Sequence, residues 1–162
     1  MLCERGFARR PFAAPLKSML AVIGLTDEEL NGSRKKQPSD LLCGRTPRYA
    51  MRTLGTEWGR DLIHPDLWVT LWTASIADLR RFCLVADDVR FPNEVAAIHK
   101  LGGEVWRVNR PGCESDGHES EAHIPSLNVD VELYNVEDIA ALHKIVEQTL
   151  NRDRVPQEKA ID

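Results

Sequence analysis

The chain has 162 residues, 43% of them hydrophobic, with 21 Lys plus Arg against 25 Asp plus Glu and a formal net charge of −4. That length suits one domain with a sizeable core, which excludes a disordered chain. No apolar run approaches the ~20 residues of a membrane span, and residues 1–10 lack the apolar centre of a secretory signal. Charge drifts from net +5 over residues 1–60, through −1 over 61–110, to −8 over 111–162, and five excess positive charges do not make a nucleic-acid footprint.

In chain order, residues 8–13 form a short strand, followed by a helix over 15–23 with Leu16, Met19, Leu20 and Ile23 at helical spacing. Residues 24–45 are polar, hold Gly32 and Pro38, and are expected to be a long excursion with one turn of helix; a stretch of that kind is usually functional or mobile. The Arg34-Lys35-Lys36 run within it reads as solvated surface. Thr46-Pro47 starts a helix that reaches about Leu62 and is broken near Gly59. Pro65 opens another, whose apolar stripe is Leu67, Trp68, Leu71, Trp72, Ile76, Leu79 and Phe82; its tryptophans read as core.

Cys83-Leu84-Val85-Ala86 suits a buried parallel strand, residues 92–101 a helix stopped by Gly102-Gly103, and residues 104–109 a strand. A loop covers 110–128, a last strand 129–133, and a last helix 136–150 with Ile139, Leu142, Val146 and Leu150 inward; residues 151–162 are a polar tail. Strands alternating with helices predict an α/β fold with a parallel sheet.

Three segments carry chemistry. In Asp87-Asp88-Val89-Arg90-Phe91-Pro92-Asn93-Glu94, a carboxylate just beyond a strand's carboxyl end can hold a hydrated magnesium ion beside a nucleotide phosphate. Arg90 can face the same crevice, while a helix start enriched in acids is the competing reading. Arg48 and Arg52, four apart, point to one helix face and suit a phosphate dianion, against a plain solvated basic face. Gly55, Trp58 and Gly59 add close backbone approach and a flat surface for a base. The third segment, residues 110–123, holds Cys113, His118, Glu119, Glu121 and His123; its spacing fits a mobile lid better than a zinc site, and Arg110 leads into it. Lys17 is a further phosphate candidate, or a plain surface lysine. The four cysteines, Cys3, Cys43, Cys83 and Cys113, form no CxxC pair and read as reduced thiols in a cytoplasmic protein.

Together these segments resemble the phage-type deoxynucleoside monophosphate kinases, P-loop phosphotransferases, over nearly the whole chain. The resemblance is carried most specifically by Leu54-Gly55-Thr56-Glu57-Trp58-Gly59-Arg60-Asp61-Leu62-Ile63-His64-Pro65-Asp66-Leu67-Trp68 and by Asp88-Val89-Arg90-Phe91-Pro92-Asn93-Glu94. Phe12-Ala13-Ala14-Pro15-Leu16-Lys17, residues 107–111, His118-Glu119-Ser120-Glu121 and residues 130–135 add to it. It implies a three-layer parallel α/β sheet of the nucleoside monophosphate kinase type and transfer of the terminal phosphoryl of ATP, with Mg2+, to a deoxynucleoside monophosphate. It implies a kinase domain over 1–150, an acceptor-binding excursion over 24–64 and a lid-like loop over 110–128. Lys17, Arg48 and Arg52 then look like monophosphate contacts, with Trp58, Gly59, Arg60, Asp61 and Glu94 shaping the acceptor site. Asp88, with Mg2+ directly or through water, Arg90 and Arg110 look catalytic, and His118, Ser120 and Glu121 belong to the lid. Neither nucleic acid nor membrane is implied as a partner, and a homodimer is compatible.

One departure stands out: a P-loop needs GxxxxGK[ST], and these 162 residues contain no such run. Relatives carry it on a strand and turn ahead of the segment matching residues 1–12, and that strand lies inside their sheet. Three readings are therefore open: a kinase of this family with a short N-terminus, through a late assigned start or a deletion, a non-catalytic remnant that still binds a monophosphate or a protein partner, and a different P-loop-like phosphotransferase. As it stands, the 162-residue chain is expected to lack kinase activity. Base preference and deoxyribose selection are not legible in it.

Overall fold

A computed structural model of the chain describes residues 2–79, 82–112 and 124–152. The expectations for Cys113, His118, Glu119, Ser120, Glu121 and His123, and for the tail from residue 153, lie outside them. The fold is mixed α/β, and its strands are parallel as the helix–strand alternation predicts.

Strand β1 is Ala8–Arg9, shorter than the expected 8–13. Pro11 has no N–H to give a ladder, the Arg10 carbonyl before it accepts the Trp72 indole N–H at 2.8 Å, and the Phe12 and Ala13 N–H groups beyond it go to the Asp88 carboxylate. Helix α1, Ala14–Val22, buries Leu16 and Leu20. The excursion is more ordered than its composition suggests: α2, Asp27–Leu30, is followed by tight turns at Ser33–Lys36 and Asp40–Leu42. Thr26 and Glu29 form a capping box on α2, which explains a helix of four residues in so polar a stretch.

The Thr46 hydroxyl accepts the Tyr49 N–H at 3.1 Å and starts α3, Pro47–Thr53. The same rod continues to Ile63 with wider winding: Leu54–Ile63 is a π-helix, a form found mostly where function or packing demands it. The Trp68 indole N–H takes the Gly55 carbonyl at 2.7 Å, and a Cβ at Gly59 would come within 2.5 Å of the Trp68 ring. Gly59 therefore does not break the rod; it lets Trp68 pack against it.

Helix α4, Leu67–Ser75, ends earlier than expected, because the Ser75 hydroxyl bonds the Trp72 carbonyl and the chain tightens into the turn Ala77–Leu79. Trp68, Trp72 and Ile76 are buried, whereas Leu71 and Phe82 from the same stripe are exposed. Strand β2 is Leu84–Val85, α5 Pro92–Lys100, β3 Trp106–Asn109, β4 Val131–Tyr134 and α6 Ile139–Arg152. Asp138 caps α6 by accepting the Ala141 N–H at 2.9 Å, so the helix starts at Ile139 rather than 136; Ile139 is exposed rather than inward, and Val146 is buried.

The strands do not make one sheet among the described residues. They fall into two parallel pairs, β1–β2, with Ala8 opposite Leu84, and β3–β4, with Trp106 opposite Val131. Three apolar clusters run between them. Leu16, Leu20, Leu25, Leu30 and Trp68 form one; Phe12, Trp72 and Ile76 a second; Val95, Val105 and Leu127 a third. Val89 and Ile98 belong to the second and third together, so α5 and the turn before it tie the two strand pairs to one core.

Candidate functional site

The start of α1, the turn Ser33–Lys36, α3, the π-helix and the turn leading into α5 together enclose a cleft of about 640 Å³. Arg48 and Arg52 enter it from α3, Lys17 from α1, Lys35 from the turn, Arg60 from the π-helix, and Asp88, Arg90 and Glu94 from the segment after β2. Six cations and two carboxylates line it, which favours a ligand with concentrated negative charge. Its floor is apolar, with buried Phe12, Leu16, Leu30 and Trp68. A volume of this size, mostly apolar with charged groups at defined places, suits a small molecule with one ionised end.

The charged groups are held differently. Lys17 is half-buried, donates to the Asn31 amide oxygen at 2.6 Å, and has its ammonium held below the usual lysine range by burial, with Asp88 pulling the other way. Arg52 lies over one part of the Tyr49 ring, 5.2 Å from its centroid, and Arg45 approaches the same ring at 4.9 Å. Tyr49 lines the cleft and was not singled out from the sequence; its spacing of three from Arg52 on α3 is the signal that would have found it.

Asp88 does something the sequence does not disclose. Its two oxygens accept the Phe12 and Ala13 backbone N–H groups, each at 2.9 Å, so it clips the segment after β2 to the start of α1. These bonds bear on the expectation that it holds magnesium. One lone pair on each oxygen is already used, and among the described residues no group of three His, Cys, Asp or Glu side chains could hold a metal. Asp88 is therefore no closed metal site by itself; its remaining lone pairs suit a magnesium ion that arrives on nucleotide phosphates and meets Asp88 directly or through water.

Glu94 and Arg60 are also committed. Glu94, 3% exposed, accepts the Arg90 and Phe91 backbone N–H groups at 2.7 and 3.1 Å and pairs with Arg60 at 2.6 Å. Arg60 donates further to the Pro65 carbonyl at 3.0 Å and stacks 3.7 Å over Phe91. Burial pushes Glu94 up from the usual carboxylate range, opposed by those N–H groups and Arg60, and burial lowers Arg60, which stays protonated. Both line the cleft, and both shape it by fixing the 90–91 turn against the π-helix.

The remaining candidates stand elsewhere. Trp58, Gly59 and Asp61 do not line the cleft: Trp58 is exposed beside Trp68, Gly59 packs beneath the Trp68 ring, and Asp61 is exposed. Along the π-helix it is Gly55, Thr56 and Arg60 that line the cleft. Arg110 is exposed beyond β3 and lines a second hollow of about 690 Å³ with Arg107, Glu132 and Tyr134. The lid residues His118, Ser120 and Glu121 lie outside the described residues. No helix among the described residues is long and apolar enough to cross a membrane.

Two proteins are similar to the chain. One is a protein of Acanthamoeba polyphaga mimivirus whose name proposes a deoxynucleotide monophosphate kinase, 34% identical over 146 residues, covering 80% of this chain and 76% of that protein. The other is the deoxynucleoside-5′-monophosphate kinase of Escherichia phage T5, 34% identical over 98 residues, covering 56% of this chain and 39% of that enzyme. No family model and no solved structure matches.

Proposed function

The chain belongs to the deoxynucleoside monophosphate kinase family, and from that premise we propose that its cleft binds the acceptor, a deoxynucleoside monophosphate, in phosphoryl transfer from ATP. The observation that carries this reading is the convergence of Lys17, Arg48, Arg52 and Arg90 on one hollow beside Asp88, at the carboxyl end of β2. Guanidinium forks grip a phosphate dianion in two directions at once, and the apolar floor accommodates a base. Phosphoryl transfer asks little covalent chemistry of the protein; it needs the acceptor oxygen held in line and charge neutralised. Magnesium, when bound with the donor, supplies part of that neutralisation, and Arg90 stands where it can supply more.

In this reading the two strand pairs belong to a single three-layer sheet. A strand seated between β2 and β3, followed by a glycine-rich donor loop, would join them, and the separation of the pairs supports it. The 162 residues contain no GxxxxGK[ST], so on their own they bind the acceptor and transfer no phosphate. A cytoplasmic enzyme free of nucleic-acid and membrane partners goes with this assignment, as does a kinase domain spanning 1–150.

The test is calorimetric titration of the 162-residue chain with deoxynucleoside monophosphates, alongside a coupled assay with ATP and Mg2+. Binding without turnover is expected, with Arg48→Ala and Arg52→Ala each weakening it by about 10- to 100-fold, as hydrogen bonds to charged groups are worth. Turnover by this chain would refute the inactive assignment. Absence of monophosphate binding would refute the acceptor site itself.

A further inference from the structure

The Arg34-Lys35-Lys36 run reads in the sequence as solvated surface, and its outer members conform: Arg34 and Lys36 are exposed. Lys35 is half-buried and lines the cleft. We propose that Lys35 is a phosphate-binding residue of the acceptor site, brought beside α3 by the folding of residues 26–39. The proposal rests on the reading that this cleft takes a nucleoside monophosphate.

The segment is built to aim this one side chain. Glu29, buried, closes the capping box on Thr26 with bonds of 2.9 and 2.8 Å to its N–H and hydroxyl. Glu28 accepts both the N–H and the hydroxyl of Ser33 at 2.8 Å, which folds the turn Ser33–Lys36 back onto α2. Gly32 leaves room between them for the Glu28 carboxylate, which a Cβ there would displace. The folded turn packs on α2 and on α3, the helix that carries Arg48 and Arg52. A merely solvated lysine run needs no such framework.

Electrostatics point the same way. Lys17 is anchored to Asn31, at the end of α2, and Lys35 is among the charges that lower it, together with Arg9 and against Asp88 and Asp87; burial is the largest cause. Two ammonium groups thus face one hollow that also holds Arg48 and Arg52. Like charges brought together oppose folding, and an anion between them removes the opposition. A phosphate monoester, with about 1.5 to 2 negative charges at pH 7, is such an anion.

The experiment titrates the 162-residue chain and three variants with deoxynucleoside monophosphates, each variant's folding checked by its thermal melt. Lys35→Ala should weaken binding at least about 10-fold, and Lys35→Arg should stay within about threefold. Lys36→Ala, which removes the same charge one residue on, should stay within about twofold. Should Lys35→Ala prove unfolded, Lys35→Met, which keeps the apolar stem, takes its place. Equal effects at positions 35 and 36 would overturn this inference and leave the acceptor site standing. Failure of the unaltered chain to bind any monophosphate would overturn both.

Discussion

Replacing Asp88 separates two roles that a carboxylate at this place can have. If its work is to ligate an ion, removing it costs binding or catalysis and leaves the fold intact. The structure instead places both oxygens on the Phe12 and Ala13 N–H groups at 2.9 Å, 76 and 75 residues away in the chain. Hydrogen bonds to a charged group are worth about 1.5–3 kcal/mol each, and a negative charge at a helix start adds about 0.3–1 kcal/mol. The site is part-buried, so water recovers some of this when the carboxylate is deleted. Asp88→Ala should therefore cost about 2–4 kcal/mol, a fall in Tm of roughly 5–15 °C for a chain of this size. Urea denaturation followed by circular dichroism measures it as a shift in midpoint with an unchanged slope. Asp88→Asn, which keeps one acceptor but turns an amide N–H toward the other donor, should fall between. A loss below about 1 kcal/mol for Asp88→Ala would refute the clip. No rise in Tm is expected on adding Mg2+ without nucleotide; such a rise would reveal an ion held by the protein alone and overturn the reading that the ion arrives with nucleotide.

Other perturbations test the walls of the cleft. Arg60→Ala should destabilise by about 3–5 kcal/mol, because it strands the buried Glu94 carboxylate, and adding Glu94→Gln to it should recover part of that loss in the same urea assay. Gly59→Ala should cost about 1–3 kcal/mol by thermal melt, since its methyl would press into the Trp68 ring; a neutral result would mean the π-helix gives way easily. Asp130 ties the start of β4 to Val105 and to His99 at the end of α5, and the Val105 N–H foremost, then His99, holds its carboxyl below the usual range. A depressed folded-state value means the ionised form stabilises the fold above about pH 4, and that this contribution fades as pH falls further through the folded value. The stability gap between the unaltered chain and Asp130→Asn should thus be steady near neutrality and close in acid; a gap independent of pH would exclude the pairing.

Much of this protein is local, and the local part is legible in the amino-acid sequence. Thr46-Pro47 opens α3 because a hydroxyl and a proline suit the first turn, and Gly102-Gly103 follow α5 because glycine tolerates the backbone that ends a helix. Arg48 and Arg52 share a face because four residues make about one helical turn, and Asp88 and Arg90 sit at the carboxyl end of a parallel strand because the apolar run before them stops there. Period and capping involve neighbours within a few residues, so a linear reading reaches them. It does not reach the occupant of a carboxylate's lone pairs, or the depth of one basic residue in a run of three. Only the tertiary structure assigns Asp88 to α1 and Arg60 to Glu94, sets Trp58, Gly59 and Asp61 off the cleft, and turns Lys35 inward while Arg34 and Lys36 face water. The roles of Asp88 and Arg60 depend on groups that meet across dozens of residues, those of Lys35 and Gly59 on how nearer segments pack, and in each burial and hydrogen-bond geometry decide the outcome where side-chain type alone does not.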